Sequence, residues 1–600
     1  MNMEPRRIAD HTDRHAAIRS AAIPLTFAGT VGLFMPADAQ TQASTTGVLI
    51  VGSWGFEEMC TRKFWRIIAD DLALAGIASL RFDYPGTGDA LDDMDFSGGL
   101  TLWQNRIVTA AERLRTLSGC TRLIVLAEGL GVPLGLEACK RLHDVAGLGL
   151  LAPVISGRAY LRELSIWSRM IDDNLGLREE QRDMTGISIA GLKMPEAVAA
   201  AVKKINIADY REAPPVKCLL LSSPARSGDS EFAAALESCG AHVERYPFDG
   251  FEQMISNVTY AKPPMDTIAR IVDWVKANSG LPEKISAPAA IPSAEPLIGN
   301  GFRETPVRFG ENDRLFGVLC EPLAQRKGAT LVMMTTAYER HASWGRLMTH
   351  LARDMASSGI ASLRFDNANV ADSPPLPDAP EQVLYSEWQN LDVKDALDFL
   401  KRQGHEGMIA VGRCSGGFLA FRSAVLNKEF KAAVLVNPFA FYFDGRQSVE
   451  SLLKFVPQSL VSYGPKAMRL ETWRRIAKGD IKLKNAVINI GKALSKKAIA
   501  KVSPILKYFP FMPEEFREVQ RSFAQLKARK VPLSLIYSES DVGLQHFSHH
   551  FGADGAGLKH YPNATLTMIA DADHNLTPPE ARQVFHEAVR TMALRFPPKA

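Results

Sequence analysis

The chain has 600 residues, of which 46% are hydrophobic and 23% are charged, and its formal net charge at pH 7 is +4. This composition excludes a disordered chain, and the small net charge argues against nucleic acid as a partner. A chain of this length exceeds one hydrophobic core and predicts two domains.

The N-terminal segment has two interpretations. We expect residues 1–20 to be loosely ordered, because they are polar and charged. The apolar segment Ala21–Pro36 is compatible with a secretion signal, but Gly32–Pro36 matches Gly317–Pro322 later in the chain. We therefore interpret it as an edge hairpin that precedes a sheet.

The seven cysteines include no Cys-x-x-Cys pair. Their odd number and spacing favour a reducing compartment over a disulfide framework, and argue against structural zinc. No apolar run reaches the roughly 18 residues that a transmembrane helix needs. We expect a cytoplasmic protein.

An internal repeat follows in chain order. The octapeptide Gly76–Asp83 recurs unchanged at Gly359–Asp366. In each half an apolar strand and a helix precede it, at Gly47–Gly52 with Phe64–Ala75 and at Ala329–Met334 with Leu347–Ser358. The period is far too long for a solenoid and indicates a duplicated domain. We predict domains at 21–278 and 301–600, joined by a proline-rich linker at 279–300.

The second half contains the sequence Gly412–Gly416, which reads Gly-Arg-Cys-Ser-Gly. An apolar strand precedes it and an apolar helix follows, as in the sharp turn that presents a nucleophile. Such a turn requires small residues two positions before and after the nucleophile. Gly412 and Gly416 satisfy this rule around Cys414, whereas a register centred on Ser415 would place Arg413 at a position that must be small. We predict Cys414 as the nucleophile.

Two polar loops downstream supply the partners that a cysteine nucleophile needs. Asp541 follows the predicted strand 533–537, and His574 follows the predicted strand 566–569. A histidine next to a cysteine favours the thiolate, and a carboxylate then holds the histidine tautomer. We predict Cys414, His574 and Asp541 as catalytic residues, with Glu539 as the alternative acid. Each residue alone is more often structural, but the three occur together, each at a strand end.

The first half has lost the corresponding residues. Gly129 stands where Cys414 stands, Ala225 aligns with Asp541, and Glu252 aligns with His574. We therefore expect a catalytically inactive first domain.

A long insertion, roughly 441–530, separates the nucleophile from the acid and is predicted to be helical and basic. A solvated helical face explains such a charge excess as well as a functional role does. The functional interpretation is a cap that attracts an anionic substrate or carrier, such as a carrier-bound thioester, an anionic glycan or a phospholipid surface. The residues chosen for this role are Arg474, Arg475 and Lys478.

These patterns together resemble the α/β-hydrolase superfamily, in its serine aminopeptidase-like branch. More narrowly, both halves resemble the bacterial exosortase A-associated hydrolases, and the Cys-His-Asp set resembles dienelactone hydrolases. The strings that carry the narrower resemblance are Trp54–Cys60, Arg81–Tyr84, Ser156–Leu164, the Gly-x-Cys turn and Trp473–Asp480.

The resemblance implies an α/β fold of two tandem α/β-hydrolase domains, each a mostly parallel, doubly wound sheet with a helical cap. It also implies the chain order nucleophile, acid, base that Cys414, Asp541 and His574 follow. The loop Thr335–Arg340 departs from the superfamily because it lacks His-Gly. We expect the backbone amides of Ala337 and Ser415 to form the oxyanion hole.

The expected activity is cleavage of a carboxylic ester or thioester through an acyl-enzyme, with no metal or organic cofactor. The substrate would be a small-molecule or carrier-bound acyl compound. Acyl transfer by the same triad and a non-catalytic scaffold remain alternatives. The two domains are expected to pack on each other, and the sequence leaves a homo-oligomer open.

Overall fold

A computed structural model describes residues 22–92, 94–182, 186–212, 216–223, 226, 228–259, 262–280, 294–444 and 513–598. Each half of the chain forms one extended, mostly parallel sheet with helices packed against it. The predicted N-terminal segment 1–20 and most of the predicted linker lie outside the described residues.

The first sheet has eight strands in the order β1-β2-β4-β3-β5-β6-β9-β10. Only the pairings of β2 with β1 and with β4 are antiparallel. The central strands are continuous apolar runs because a parallel sheet is covered on both faces. The strands are β1 Ile23–Phe27, β2 Thr30–Met35, β3 Thr46–Val51, β4 Ser79–Phe82, β5 Arg122–Glu128, β6 Val145–Leu151, β9 Lys217–Ser222 and β10 His242–Pro247.

Helices connect these strands, and a small insertion follows β6. The insertion contains α4, a two-stranded hairpin of β7 Ile187–Ile189 and β8 Leu192–Met194, and α5. The helices of this half are α1 Phe56–Leu74, α2 Thr101–Ser118, α3 Gly131–Cys139, α4 Gly157–Leu175, α5 Glu196–Val202, α6 Asp229–Ser238, α7 Phe251–Ile255 and α8 Met265–Asn278.

The second sheet has nine strands in the order β11-β12-β13-β15-β14-β16-β17-β18-β19. From β12 to β19 it repeats the first sheet from β1 to β10, and β11 is an added edge strand. The strands are β11 Leu297–Gly299, β12 Phe302–Phe309, β13 Leu315–Pro322, β14 Thr330–Met334, β15 Ser362–Phe365, β16 Met408–Arg413, β17 Phe430–Val436, β18 Leu533–Ser538 and β19 Ala564–Ile569.

In the described residues of the second half the helices are α9 Leu347–Ser357, α10 Glu387–Arg402, α11 Ser415–Leu426, α12 Glu514–Ala528, α13 Gly543–Phe551 and α14 Pro579–Leu594. Helix α12 falls inside the predicted cap, but it belongs to the layer that covers the sheet. Its residues Val519, Phe523 and Leu526 are buried in the same core as Phe421 of α11. The predicted cap range 441–530 is therefore too long at its C-terminal end, because this amphipathic helix must bury its apolar face.

Two observations bear on the predicted domain boundaries. Helix α8 ends at Asn278, where the predicted linker begins. Strand β11 pairs with β12, so the second sheet already begins at Leu297, inside the segment predicted as linker. Among the described residues, no helix combines the length and apolarity needed to cross a bilayer.

The repeated octapeptide forms β4 in one half and β15 in the other. In each half its arginine forms an ion pair with an aspartate of the other half. Arg364 donates to Asp89 of the first half at 3.0 Å. Reciprocally, Arg81 donates to Asp372 of the second half at 3.0 Å. Both arginines and both carboxylates are buried. A self-complementary exchange of this kind is the pattern of a two-fold symmetric interface.

Further buried ion pairs surround this exchange. Arg340 donates to Asp89 at 2.8 Å and to Asp83 at 3.1 Å. His341 lies between Asp89 and Asp366, with its ring nitrogens at 2.8 and 3.0 Å from their carboxylates. The two domains are thus joined by charges that are paired across the interface.

Candidate active site

Cys414 occupies the turn between β16 and α11 with φ 55° and ψ −122°. This left-handed conformation is unfavourable for a residue with a side chain, and such strain is concentrated at functional sites. A Cβ atom on Gly412 would lie 2.1 Å from the carbonyl oxygen of Gly416. A Cβ atom on Gly416 would lie 2.7 Å from the carbonyl oxygens of Met334 and Thr335. The close approach explains why both positions are glycine.

The predicted acid and base meet in the structure. Asp541 follows β18 and His574 follows β19, and His574 Nδ1 lies 2.5 Å from Asp541 Oδ2. The other carboxylate oxygen, Oδ1, accepts the Gly543 amide at 2.8 Å. Glu539, the alternative acid, is exposed. The geometry therefore pairs His574 with Asp541.

His574 also interacts with the predicted nucleophile. Burial lowers the pKa of His574, but the Asp541 carboxylate and the Cys414 sulfur outweigh burial and raise it to about 10. Its Nε2 is buried and has no full hydrogen bond to any described residue. A protonated imidazole beside a cysteine is the partner that favours a thiolate. Hydrogen bonds between catalytic groups are often loose until substrate binds.

The two predicted oxyanion donors are adjacent, but one is already engaged. The Ala337 amide donates to Ser415 Oγ at 2.7 Å. Ala337 has φ 47°, so its peptide is held in an uncommon orientation. Ser415 is the first residue of α11, and its amide belongs to the helix N-terminus, where donors have no partner within the helix. To donate to an oxyanion, the Ala337 amide must first give up its hydrogen bond to Ser415 Oγ.

The strand residue before the nucleophile anchors two loops of the site. Arg413 is buried, and its Nη2 donates to both carboxylate oxygens of Glu339 at 2.9 Å. Its Nη1 donates to Asn575 Oδ1, next to His574. Glu339 also accepts the Trp344 amide at 3.1 Å. Sequence reasoning used Arg413 only to reject a register and missed this clamp, because no local pattern pairs residues so far apart.

Asn437, at the end of β17, holds the histidine loop from the other side. Its Nδ2 donates to the carbonyl oxygen of His574 at 3.0 Å, and its Oδ1 accepts the Ser538 amide at 2.8 Å. The loop is closed by Asp573, which accepts the Thr577 amide at 2.6 Å. The signal available in the sequence was the Asn437-Pro438 pair that follows a buried strand.

An apolar cluster lies beside Cys414. Tyr385 packs edge-on against Phe418 at 5.0 Å and stacks on Phe443 at 4.9 Å. The Phe418 amide donates to the Cys414 carbonyl oxygen at 3.2 Å, which joins this cluster to the nucleophile turn. Burial, and then Cys414, raises the pKa of Tyr385. Ala337 and Leu384 complete the buried cluster. The cluster beside the nucleophile turn is thus largely hydrocarbon.

The predicted basic cap residues Arg474, Arg475 and Lys478 lie outside the described residues. Their role stays a prediction.

The corresponding position in the first half is filled by other groups. Gly129 has φ 55°, the same value as Cys414. A Cβ atom there would lie 2.4 Å from Glu57 Oε2 and 2.5 Å from Ser53 Oγ. Ser53 donates to Glu57 at 2.6 Å, and Arg226 also donates to Glu57. Glu252 is exposed, and Ala225 lies outside the described residues.

A cavity of about 240 Å³ lies between the halves rather than at Cys414. It is lined by residues of both domains, including Arg62, Arg81, Asp83 and Arg340. Arg81 Nη1 is buried there without a hydrogen bond to a described residue.

The strand order, present in both halves, and the strand–turn–helix at Cys414 define the α/β-hydrolase fold, present twice in tandem. No family model matches the chain, and no curated protein matches it.

Solved structures with a similar fold each cover about half of the chain. An esterase of Pyrococcus furiosus is 16% identical, with a TM-score of 0.30, and covers 49% of this chain and 93% of its own. A cold-adapted esterase from an Arctic intertidal metagenomic library is 12% identical, with a TM-score of 0.29, and covers 50% of this chain and 97% of its own. The mouse alpha/beta hydrolase domain-containing protein 10 is 12% identical, with a TM-score of 0.27, and covers 48% and 98%. The fold assignment rests on the strand order of the chain itself.

Proposed function

We propose that the second domain cleaves a carboxylic ester or thioester with Cys414 as nucleophile, His574 as proton carrier and Asp541 as the group that orients His574. The observation that carries the proposal is the 2.5 Å contact between His574 and Asp541, in a loop next to a cysteine at a strained turn. Structural cysteines do not require either feature.

In the proposed reaction the Cys414 thiolate attacks the carbonyl carbon, and the carbonyl oxygen becomes an oxyanion. The Ser415 and Ala337 amides receive this oxyanion once Ser415 Oγ turns away. The tetrahedral intermediate collapses, His574 Nε2 gives its proton to the departing alcohol or thiol, and a Cys414 thioester remains. Water then attacks the thioester, with His574 as base, and releases the acid.

The surroundings of Cys414 favour an apolar acyl group. Tyr385 and Phe418 offer aromatic and aliphatic surface but no charged partner. A bulky apolar acyl chain gains free energy there by leaving water. A carrier-bound or anionic substrate remains compatible with the predicted basic cap.

The test is a screen of the purified full chain against aryl esters and acyl thioesters of graded chain length. We expect hydrolysis by the wild type and none by Cys414→Ala. Mass spectrometry of quenched reactions should find the acyl group on Cys414. Activity that survives in Cys414→Ala would contradict the proposal.

The rate of alkylation distinguishes a catalytic cysteine from the unreactive cysteine that a scaffold protein would have. Burial raises the pKa of five other thiols, which provide internal controls because they should alkylate slowly. These are Cys60, Cys120, Cys139, Cys218 and Cys320. Cys414 should be labelled first near neutral pH. Labelling of Cys414 no faster than these five would favour the scaffold alternative.

Acyl transfer is distinguished by the products. Adding an alcohol or amine acceptor to the assay should leave free acid as the main product if water takes the acyl group. A dominant acceptor ester or amide would identify a transferase that uses the same triad.

A further inference from the structure

Three possible metal ligands meet where α12 and α13 pack together. His546 and His550 are one turn apart on α13 and therefore share a face of the helix. Glu515 lies in the first turn of α12. One potential ligand atom from each of the three residues lies within 4.8 Å of the other two.

The distances suit a tetrahedral ion. His550 Nε2 lies 3.3 Å and His546 Nδ1 lies 3.6 Å from Glu515 Oε1. Ligand atoms bound at the usual zinc distances are about 3.3 to 3.4 Å apart at tetrahedral angles. Two imidazoles and one carboxylate form a ligand set that zinc accepts. Small adjustments of the side chains would complete such a site.

A second observation points to a ligand. The His550 side chain is fully buried, and its Nε2, the atom that faces Glu515, makes no full hydrogen bond to any described residue. The ring packs 4.8 Å from Phe516 and 4.7 Å from His546, measured between ring centroids. A buried polar group without a partner is unfavourable and calls for an explanation. A bound ion would satisfy one nitrogen and lock the ring.

We propose that Glu515, His546 and His550 bind one divalent transition-metal ion, with zinc as the best match, and that the ion fastens α13 to α12. Zinc bonds require neutral imidazoles and an ionised carboxylate. A fourth position remains for water.

The position of the site suggests a structural role. Helix α13 begins at Gly543, whose amide donates to Asp541 at 2.8 Å. Helix α12 begins at Glu514 and packs in the layer that covers the sheet. An ion between the two helices would therefore hold the loop of the proposed triad acid against α12. This consequence rests on the proposed function, but the metal site itself does not.

The experiment measures binding and not turnover. The purified full chain is stripped with a chelator, dialysed and titrated with zinc chloride by calorimetry, and bound metal is then counted by elemental analysis. We expect one equivalent of zinc and a higher melting temperature. No bound equivalent would overturn the proposal.

Variants locate the ion. His550→Gln and Glu515→Gln should each weaken zinc affinity at least tenfold. His549→Gln is the matched control, because His549 lies on the same helix and packs on Phe516 but is outside the cluster. Wild-type zinc affinity in His550→Gln would overturn the proposal. An equal loss of zinc affinity in His549→Gln would overturn it as well. Circular dichroism of each metal-free variant separates lost binding from lost folding.

The proposed catalytic site is the competing location, since it also holds a thiol and an imidazole. Cobalt(II) should bind without a thiolate-to-metal charge-transfer band, and Cys414→Ala should bind zinc like the wild type. A charge-transfer band that disappears in Cys414→Ala would place the ion at Cys414 and overturn the assignment. Failure of the proposed enzymatic activity would leave these results unchanged.

Discussion

Cys414 holds a backbone conformation that glycine adopts more easily, with φ 55°. The first half has Gly129 at the same angle. We predict that Cys414→Gly abolishes turnover yet raises the free energy of unfolding by about 1 kcal/mol, because the left-handed strain is relieved. Activity assays and denaturant titration of the same protein check both effects.

Two further substitutions control this prediction. Cys414→Ser should be weakly active, since a site suited to a thiolate does not automatically activate a hydroxyl. Loss of activity in Ser415→Ala with full activity in Cys414→Gly would show that the register is wrong.

Asp541 Oδ2 lies 2.5 Å from His574 Nδ1. We predict that Asp541→Asn lowers kcat about 10⁴-fold, because the amide no longer favours the productive tautomer. Glu539→Gln is the matched control, and this exposed residue should have little effect. Steady-state kinetics of both variants test this assignment. A larger loss of kcat in Glu539→Gln than in Asp541→Asn would refute it.

At the scale of elements, Arg413 links the end of β16 to the loops that carry Ala337 and His574. We predict that Arg413→Met destabilises the protein by about 3–5 kcal/mol, because Glu339 is left buried and unpaired. Turnover should fall as well, since Asn575 loses its partner beside His574.

Arg422 on α11 provides the control for this prediction. Its pair with Glu518, at 3.3 Å, is partly exposed, so Arg422→Met should change stability by about 0–1 kcal/mol. Denaturant titrations compare the two variants. Equal losses of stability in the two variants would indicate that the buried pair of Arg413 and Glu339 contributes no more than the partly exposed pair of Arg422 and Glu518.

At the scale of the whole molecule, His341 makes stability depend on pH. Burial lowers the pKa of His341, but Asp89 and Asp366 outweigh burial and raise it to about 9. The stability contributed by its charge is therefore fully present below about pH 6.5, the ordinary value, and is lost as the pH rises through about 9.

We predict that the free energy of unfolding of the wild type falls more steeply between pH 7 and about pH 10 than that of His341→Asn. His405→Asn is the control: burial and then Arg326 lower the pKa of His405 to about 4, so it stays neutral over this range. Equal slopes in wild type and His341→Asn would contradict the prediction. Denaturant titrations across this range provide the measurement.

The exchange of charges between halves predicts that neither half is self-sufficient. A fragment of residues 294–600 exposes Arg364 and Arg340 without Asp89 and Asp83. It also uncovers Trp344, which packs 6.1 Å from Phe56. We expect this fragment to aggregate, and co-expression with residues 22–280 to rescue it, as judged by size-exclusion chromatography. A soluble, monomeric and active fragment would contradict this view.

Local patterns were sufficient to predict the duplicated α/β fold. The repeated octapeptide forms β4 and β15, and the predicted helix Leu347–Ser358 agrees with α9 within one residue. The first-half helix begins at Phe56, earlier than the predicted Phe64, because its buried face extends that far. Hydrophobic periodicity and glycine spacing depend only on residues close together in the chain, so they can be identified from the sequence.

The two sheets, the turn at Cys414 and the loops that carry Asp541 and His574 were predictable from the sequence, because each follows from a strand and its end. Folding then set the contacts between these elements. It paired Asp541 with His574, tied Arg413 to Glu339 and Asn575, exchanged Arg81 and Arg364 between the halves, and brought Glu515 to His546 and His550. These contacts join residues far apart in the chain, and their partners are selected by packing and by the need to pair buried charge.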